Sequence, residues 1–301
     1  MSNNKQISPL MLELSGYIAS ALKRKLPVEV AERAKLLLVD TFAAIISGLR
    51  LLPGKRAIAY IKPLGGTREA GVIGTRIVTS AMYAALANGM CAHADETDDI
   101  HTPTLTHLGA NIVPAALAIA ERQQLSGELM LRALVLGCDI CARTPLALKR
   151  THSPGHHAGA KGGLFGAAAA AGALFKLDAR RIRHMLSYCA QQAAGLETVV
   201  RDSQHIEKAF ATGGMRRITA SRPRSWRYVA LPASRTSCPA SPTSCLLFHP
   251  TPTPKRWCAD SGETTKFCAA ALSPGRPGGR YKGRCKCCTN SSVSMASRPV
   301  M

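Results

Sequence analysis

The sequence predicts a mostly α protein, and three observations carry that prediction. Hydrophobic residues fill 46% of the 301 positions while aromatics fill only 5%, a composition dominated by Ala and Leu, unlike the ring-rich and β-branched text of a β-sandwich. Apolar residues recur at three- and four-residue spacing through the first two thirds of the chain, which is the period of a helix face. Alternating β-branched runs are few, so an all-α domain is expected over residues 1–217.

The helices follow in order. Pro9 opens an amphipathic segment that runs to about Leu22. Pro27 stands where a helix can begin, since its missing N–H costs nothing in a first turn. From there Val28, Val30, Ala31, Ala34, Leu37, Leu38, Thr41 and Phe42 keep helical spacing up to a stop at Gly48. Further helices are expected at about 79–93, 108–123, 126–144, 162–175 and 179–194. The run Ala167–Ala171, bracketed by glycines, suits a helix packed closely on its neighbours. The apolar stretches around 33–46 and 164–174 offer more nonpolar surface than one small bundle uses, so they are the expected surfaces for self-association.

No apolar run reaches the roughly 18 residues that a membrane span requires. The N-terminal apolar stretch is broken by Glu13 and Ser15, and Lys23-Arg24-Lys25 follows it where a signal peptide would have its charges first. A cytoplasmic protein is the expectation.

The net charge of +21 is unevenly spread. Residues 218–301 hold 13 Lys/Arg against two Asp/Glu, together with seven of the 11 Cys and 10 of the 18 Pro. The chain therefore has two compositions, with a boundary near residue 217.

Polar chemistry concentrates in three places within the first part. His93-Ala-Asp95-Glu96-Thr-Asp98-Asp99-Ile-His101 is followed closely by His107. Gly155-His156-His157 precedes Lys161-Gly162-Gly163, where a Gly-rich turn opening a helix would offer free N–H groups to an anion. The third is His205-Ile-Glu207-Lys208, which leads into Gly213-Gly214. Taken singly, each has a plain reading: an acidic run as a solvated face, a histidine as a structural residue, a Gly pair as helix packing. Four carboxylates and three histidines within fifteen residues nevertheless imply perturbed ionisation. The set His93, Asp95, Asp99 and His101 contains metal-type ligands, but its spacing follows no ligand motif and no metal is assigned.

Across these three motifs the sequence resembles the MmgE/PrpD family, which includes 2-methylcitrate dehydratases, cis-aconitate decarboxylases and iminodisuccinate epimerases. The likeness runs through His93–His101, Leu105–Ala118, Gly155–His157, Phe165–Ala171 and His205–Met215, covering roughly residues 8–217. It implies a helical domain of the MmgE/PrpD type, forming homodimers, with an α/β lid domain that is largely absent here. It further implies a metal-independent, cofactor-free lyase or isomerase acting on a small di- or tricarboxylate.

Carried over position by position, the resemblance makes His107 the general acid/base, His157 a second active-site histidine and Lys208 the cation facing a substrate carboxylate. Glu96 stands in place of a family aspartate, and Asp99 and His101 belong to the same substrate-binding loop. Ile100 stands where some decarboxylases have Thr, and Leu108 where most members have Pro. Proton transfer beside a carboxylate suits a histidine with a pKa near neutrality. Cys91, Cys138, Cys141 and Cys189 lack iron–sulfur spacing and read as reduced, helix-packing thiols.

Residues 218–301 read as an irregular, basic tail. Shifted by one base, the codons allowed for Ile218–Arg227, Pro232–Ala240 and Pro250–Gly262 can spell the family's continuation in order, so a frame-shifted tail is expected, with a protease-resistant core ending near residue 215. Its Arg/Lys content beside Trp226, Tyr228, Trp257 and Tyr281 is the alternative, nucleic-acid-binding reading. Cys285, Cys287 and Cys288 have no second ligand pair at finger spacing.

Overall fold

The computed structural model describes residues 7–147, 158–193 and 204–214. The expectations for His157 and for residues 218–301 lie outside the described residues.

Local chemistry starts and stops the helices. Helix α1 (Pro9–Ser20) has Pro at its start and Ser8 as its cap, the hydroxyl accepting from the Met11 N–H at 3.3 Å. Pro27 immediately precedes α2 (Val28–Gly48), as its fixed φ favours. After a short turn, α3 (Leu52–Ile61) leaves α2 at 85°. The corner is tight because a Cβ on Gly54 would strike the carbonyl of Gly48. No helix is expected here from the sequence, because Pro53-Gly54 resembles a loop as much as a first helical turn.

A two-stranded antiparallel hairpin follows, β1 (Ala70–Gly71) with β2 (Val78–Thr79), Ala70 opposite Thr79 and Gly71 opposite Val78. Such a short hairpin needs outside support. Buried Asn88 supplies it: its amide donates to Gly71 O at 3.1 Å and its oxygen accepts from Ile73 N at 2.9 Å. Glu121 accepts from Gly71 N at 2.8 Å. Thr79, expected inside a helix, therefore belongs to β2, and α4 (Ala81–Ala92) begins after the Ser80 cap.

Helices α5 (Leu108–Arg122), α6 (Gly127–Ala147), α7 (Ala158–Leu174) and α8 (Ala179–Gln191) complete the bundle. Then comes a short helical segment, Ile206–Lys208, running into a π-helical turn, Ala209–Gly214. α4, α5 and α7 are apolar nearly all round and lie in the core, which α1, α2 and α8 flank with one buried face each.

Small residues set the spacing. A Cβ on Gly166 of α7 would lie 2.5 Å from the carbonyl of Gly137 on α6, so the two backbones touch there. The Gly162-Gly163 pair has the same role. The structure places it in the second turn of α7, where its N–H groups are not offered to an anion, and turns it against Cys141 and Asn111. The stretch 164–174, expected to be surface for association, is buried throughout.

The four cysteines at 91, 138, 141 and 189 are buried. Burial pushes Cys91 and Cys189 up to about 12, so both stay thiols. No single helix among the described residues is long and apolar enough to cross a membrane.

Candidate active site

The site forms where α4 ends and α5 begins, closed from one side by the segment 205–214. His93 is the C-cap residue of α4, its N–H bonded to Gly89 O at 3.3 Å. His107 stands at the N-cap position of α5 but does not cap the helix with its side chain. Asp99 does so instead, Oδ2 accepting from Leu108 N at 3.1 Å and Oδ1 from Gly109 N at 2.6 Å. The imidazole of His107 is thereby left for other work.

The loop between the helices is built by its own polar residues. Asp95 accepts from Ser47 Oγ at 2.6 Å, tying the loop to the end of α2, and from Thr97 Oγ1 at 2.8 Å. Farther on, His101 and Thr106 pair across a turn, His101 N donating to Thr106 O at 2.8 Å, and His101 Nδ1 lies 2.7 Å from Thr104 Oγ1. Glu96 adopts a left-handed conformation at φ 56°, which reverses the chain so that Asp95 faces outward and Asp98 inward.

Asp98 is the centre of the site. Its side chain has no exposure, and its carboxylate lies 3.1 and 3.2 Å from His93 Nδ1 and 3.3 Å from His107 Nδ1. The rings of His93 and His107 pack edge to face with centroids 4.5 Å apart. His93 is sealed, whereas His107 keeps 17% side-chain exposure. Of these two imidazoles, His107 is the one offered to incoming molecules, with the carboxylate hidden behind it.

The electrostatics follow from that burial. Burial by itself would raise Asp98, but the adjoining imidazoles, His107 first and then His93, outweigh it and hold the carboxyl well below its usual range. Burial would lower His107, and the adjoining Asp98, with Asp99 behind it, instead raises it. For His93 burial wins over Asp98, so its pKa is lowered and the ring is neutral. Asp99 is pushed up to about 7, by burial first and then by the negative charge of Asp98. Burial also lowers His101 to about 4.

The third motif closes over this group. His205, left-handed at φ 56°, donates from Nε2 to the His93 carbonyl at 2.9 Å, its ring 5.5 Å from that of His93. Lys208 forms an ion pair with Glu96 Oε1. Burial lowers the Lys208 pKa. Gly213 allows the turn to lie against α4, since a Cβ there would strike the carbonyl of Gly89.

Two groups have donor atoms close enough to share a cation: His93, Glu96 and His205, and His93, Asp98 and His107, each within 4.8 Å. Neither is the set His93, Asp95, Asp99 and His101 weighed from the sequence. In the first group the Lys208 ammonium already sits on Glu96 and the His205 Nε2–H points at a carbonyl. That donor set carries its own cation.

The domain model for the MmgE/PrpD N-terminal domain matches residues 12–217, through all the described parts of this site. The chain belongs to the MmgE/PrpD family. Among its relatives, the cis-aconitate decarboxylase-like protein oryM of Aspergillus oryzae is 30% identical over 213 residues, covering 66% of this chain and 44% of that protein. A cis-aconitate decarboxylase of Aspergillus terreus is 27% identical over 199 residues, covering 63% of this chain and 40% of its own length. The chain therefore spans less than half the length of the curated relatives it matches.

Of the residues singled out by the MmgE/PrpD resemblance, the structure gathers His107, Glu96 and Lys208 around one group of histidines. Asp99 sits beside them, but its oxygens hold the backbone of α5. His101 is buried in its own turn. The sequence assigns no role to Asp98 or His205, and offers His93 only as a metal-type ligand. The signal for Asp98 was its place five residues after His93 and nine before His107, which becomes meaningful only once the loop reverses at Glu96.

Proposed function

We propose that this chain carries the proton-transfer machinery of a lyase or isomerase for a small di- or tricarboxylate, with cis-aconitate and 2-methylcitrate as the first candidates. The observation that carries this reading is the buried Asp98 carboxylate backing a partly open His107. Asp98 lies 3.3 Å from Nδ1 of the ring, so Nε2, on the far side, exchanges the proton, and the adjoining carboxylate stabilises the imidazolium when it forms.

In a decarboxylation the breaking C–C bond leaves its electron pair on carbon as carbon dioxide departs, and His107 delivers the proton that takes up that pair. In a dehydration His107 removes the proton beside a carboxylate and the hydroxyl leaves as water once protonated. Lys208, released from Glu96 by an incoming substrate carboxylate, supplies the neutralising charge in both cases. The names of the curated relatives favour decarboxylation of cis-aconitate.

The test is turnover of the two candidates by the full chain. His107→Ala should lower kcat by roughly two to four orders of magnitude, and Lys208→Met should chiefly raise KM. Turnover unchanged in His107→Ala would refute the assignment. A second reading, that this chain alone is inactive, is favoured by its spanning under half of its relatives' length; a folded wild-type chain without turnover would support it.

A further inference from the structure

His93 has no place in the chemistry above, yet it is the most enclosed histidine of the group. Its Nδ1 lies 3.1 and 3.2 Å from the two oxygens of Asp98, while its Nε2 is buried without a hydrogen-bond partner among the described residues. One carboxylate therefore serves two imidazoles. The contact to His93 is the better aligned. His107 Nδ1 lies at 3.3 Å from the same carboxylate but outside hydrogen-bonding alignment in this structure.

We propose that His93 is a positioning residue: through the shared carboxylate of Asp98 it fixes which face of His107 meets the substrate, and it limits how tightly Asp98 holds a proton on that ring. A carboxylate that accepts a hydrogen bond from one donor has less electron density to offer a second. The edge-to-face packing of the two rings at 4.5 Å, together with the His93 carbonyl held by His205, keeps His93 from turning away. The low ionisation of His93 agrees with a neutral Nδ1–H donor.

Other charges act on the pair. Asp99 and Glu96 reach it from the loop, Asp40 of α2 interacts with Asp98, and His205 and Lys208 face it from the closing segment. None of these comes between His93 and Asp98, so removing His93 changes one contact of the carboxylate and leaves the rest.

The proposal rests on His107 as the acid/base group, but its test does not need turnover. The chain has nine histidines, few enough for their titrations to be followed by nitrogen-15 NMR on the full chain, with the His107 signal identified by its loss in His107→Gln. In His93→Leu the His107 midpoint should rise by roughly half to one pH unit, the worth of one lost hydrogen bond. In His93→Asn, which keeps a donor where Nδ1 stood, it should return toward the wild-type value. In Asp98→Asn it should fall. Opposite shifts from two adjoining substitutions are not what general loosening produces. A His107 midpoint that falls or stays fixed in His93→Leu overturns the proposal. Should His93→Leu not fold, Asp98→Asn decides: His93 and His107 must shift together, and a shift in His107 alone overturns it. Coupled titration without turnover would leave this proposal standing and the proposed function refuted.

Discussion

Two adjacent carboxylates, Asp98 and Asp99, have opposite fates because of what each meets. Asp98 meets two imidazoles and is held ionised; Asp99 meets backbone N–H groups beside a negative neighbour, and burial pushes it up to about 7. A raised carboxyl contributes stability below its unfolded value of about 3.9, and that contribution is lost as pH climbs through the folded value. Asp99→Asn removes this liability while keeping an acceptor for the cap. The melting temperature of Asp99→Asn relative to wild type should therefore increase between about pH 4 and pH 7 and level off above. A difference independent of pH would contradict the ionisation assigned to Asp99. The density of charge in this loop was legible in the sequence, but which acid turns inward was not. That choice depends on the left-handed turn at Glu96, a conformation that a Glu does not advertise.

At the scale of elements, helical period identified α1, α2 and the helices from α4 to α8, because each has a long apolar face. It missed α3, the hairpin and the turn 209–214, which are short and held by partners distant in sequence such as Asn88 and Gly89. Glycines separate the same way. Gly16 in α1 has nothing within 4 Å of a Cβ, so Gly16→Ala should stabilise by about 0.5–1 kcal/mol through helix propensity. Gly166→Ala must push α7 away from the Gly137 carbonyl, 2.5 Å from the new Cβ, and should cost about 1–3 kcal/mol. Chemical denaturation of both variants checks the pair. Equal effects would mean that α6 and α7 do not touch as described.

On the scale of the molecule, the 164–174 stretch is buried, and of the two apolar stretches expected to associate only 33–46, in α2, presents an exposed apolar face. Leu36, Val39 and Ile46 are 56, 65 and 51% exposed and share one side of the helix with Ala43. Glu32 and Arg50 lie exposed at the two ends of that stripe. In an antiparallel pairing with a second copy each Glu32 would meet the partner copy's Arg50, a self-complementary arrangement of the kind a two-fold dimer needs. We propose this face as the homodimer contact that the MmgE/PrpD resemblance implies. Val39→Glu should leave a monomer in analytical centrifugation where the wild type is a dimer, since it buries a charge against the partner copy's Ala43 and sets two like charges about a turn apart near the centre; a dimer in the variant would place the contact elsewhere.

The central claim is that His107, backed by Asp98, moves a proton at carbon beside a carboxylate. Incubation of the full chain with cis-aconitate in deuterium oxide, followed by NMR, tests it directly, because solvent deuterium enters the carbon that His107 protonates whether the outcome is decarboxylation, hydration or isomerisation. The account predicts deuterium in substrate or product with the wild-type chain, and a rate reduced by about two to four orders of magnitude with His107→Ala. Incorporation at the same rate in both chains, or no incorporation by the folded wild type into cis-aconitate or 2-methylcitrate, would contradict it.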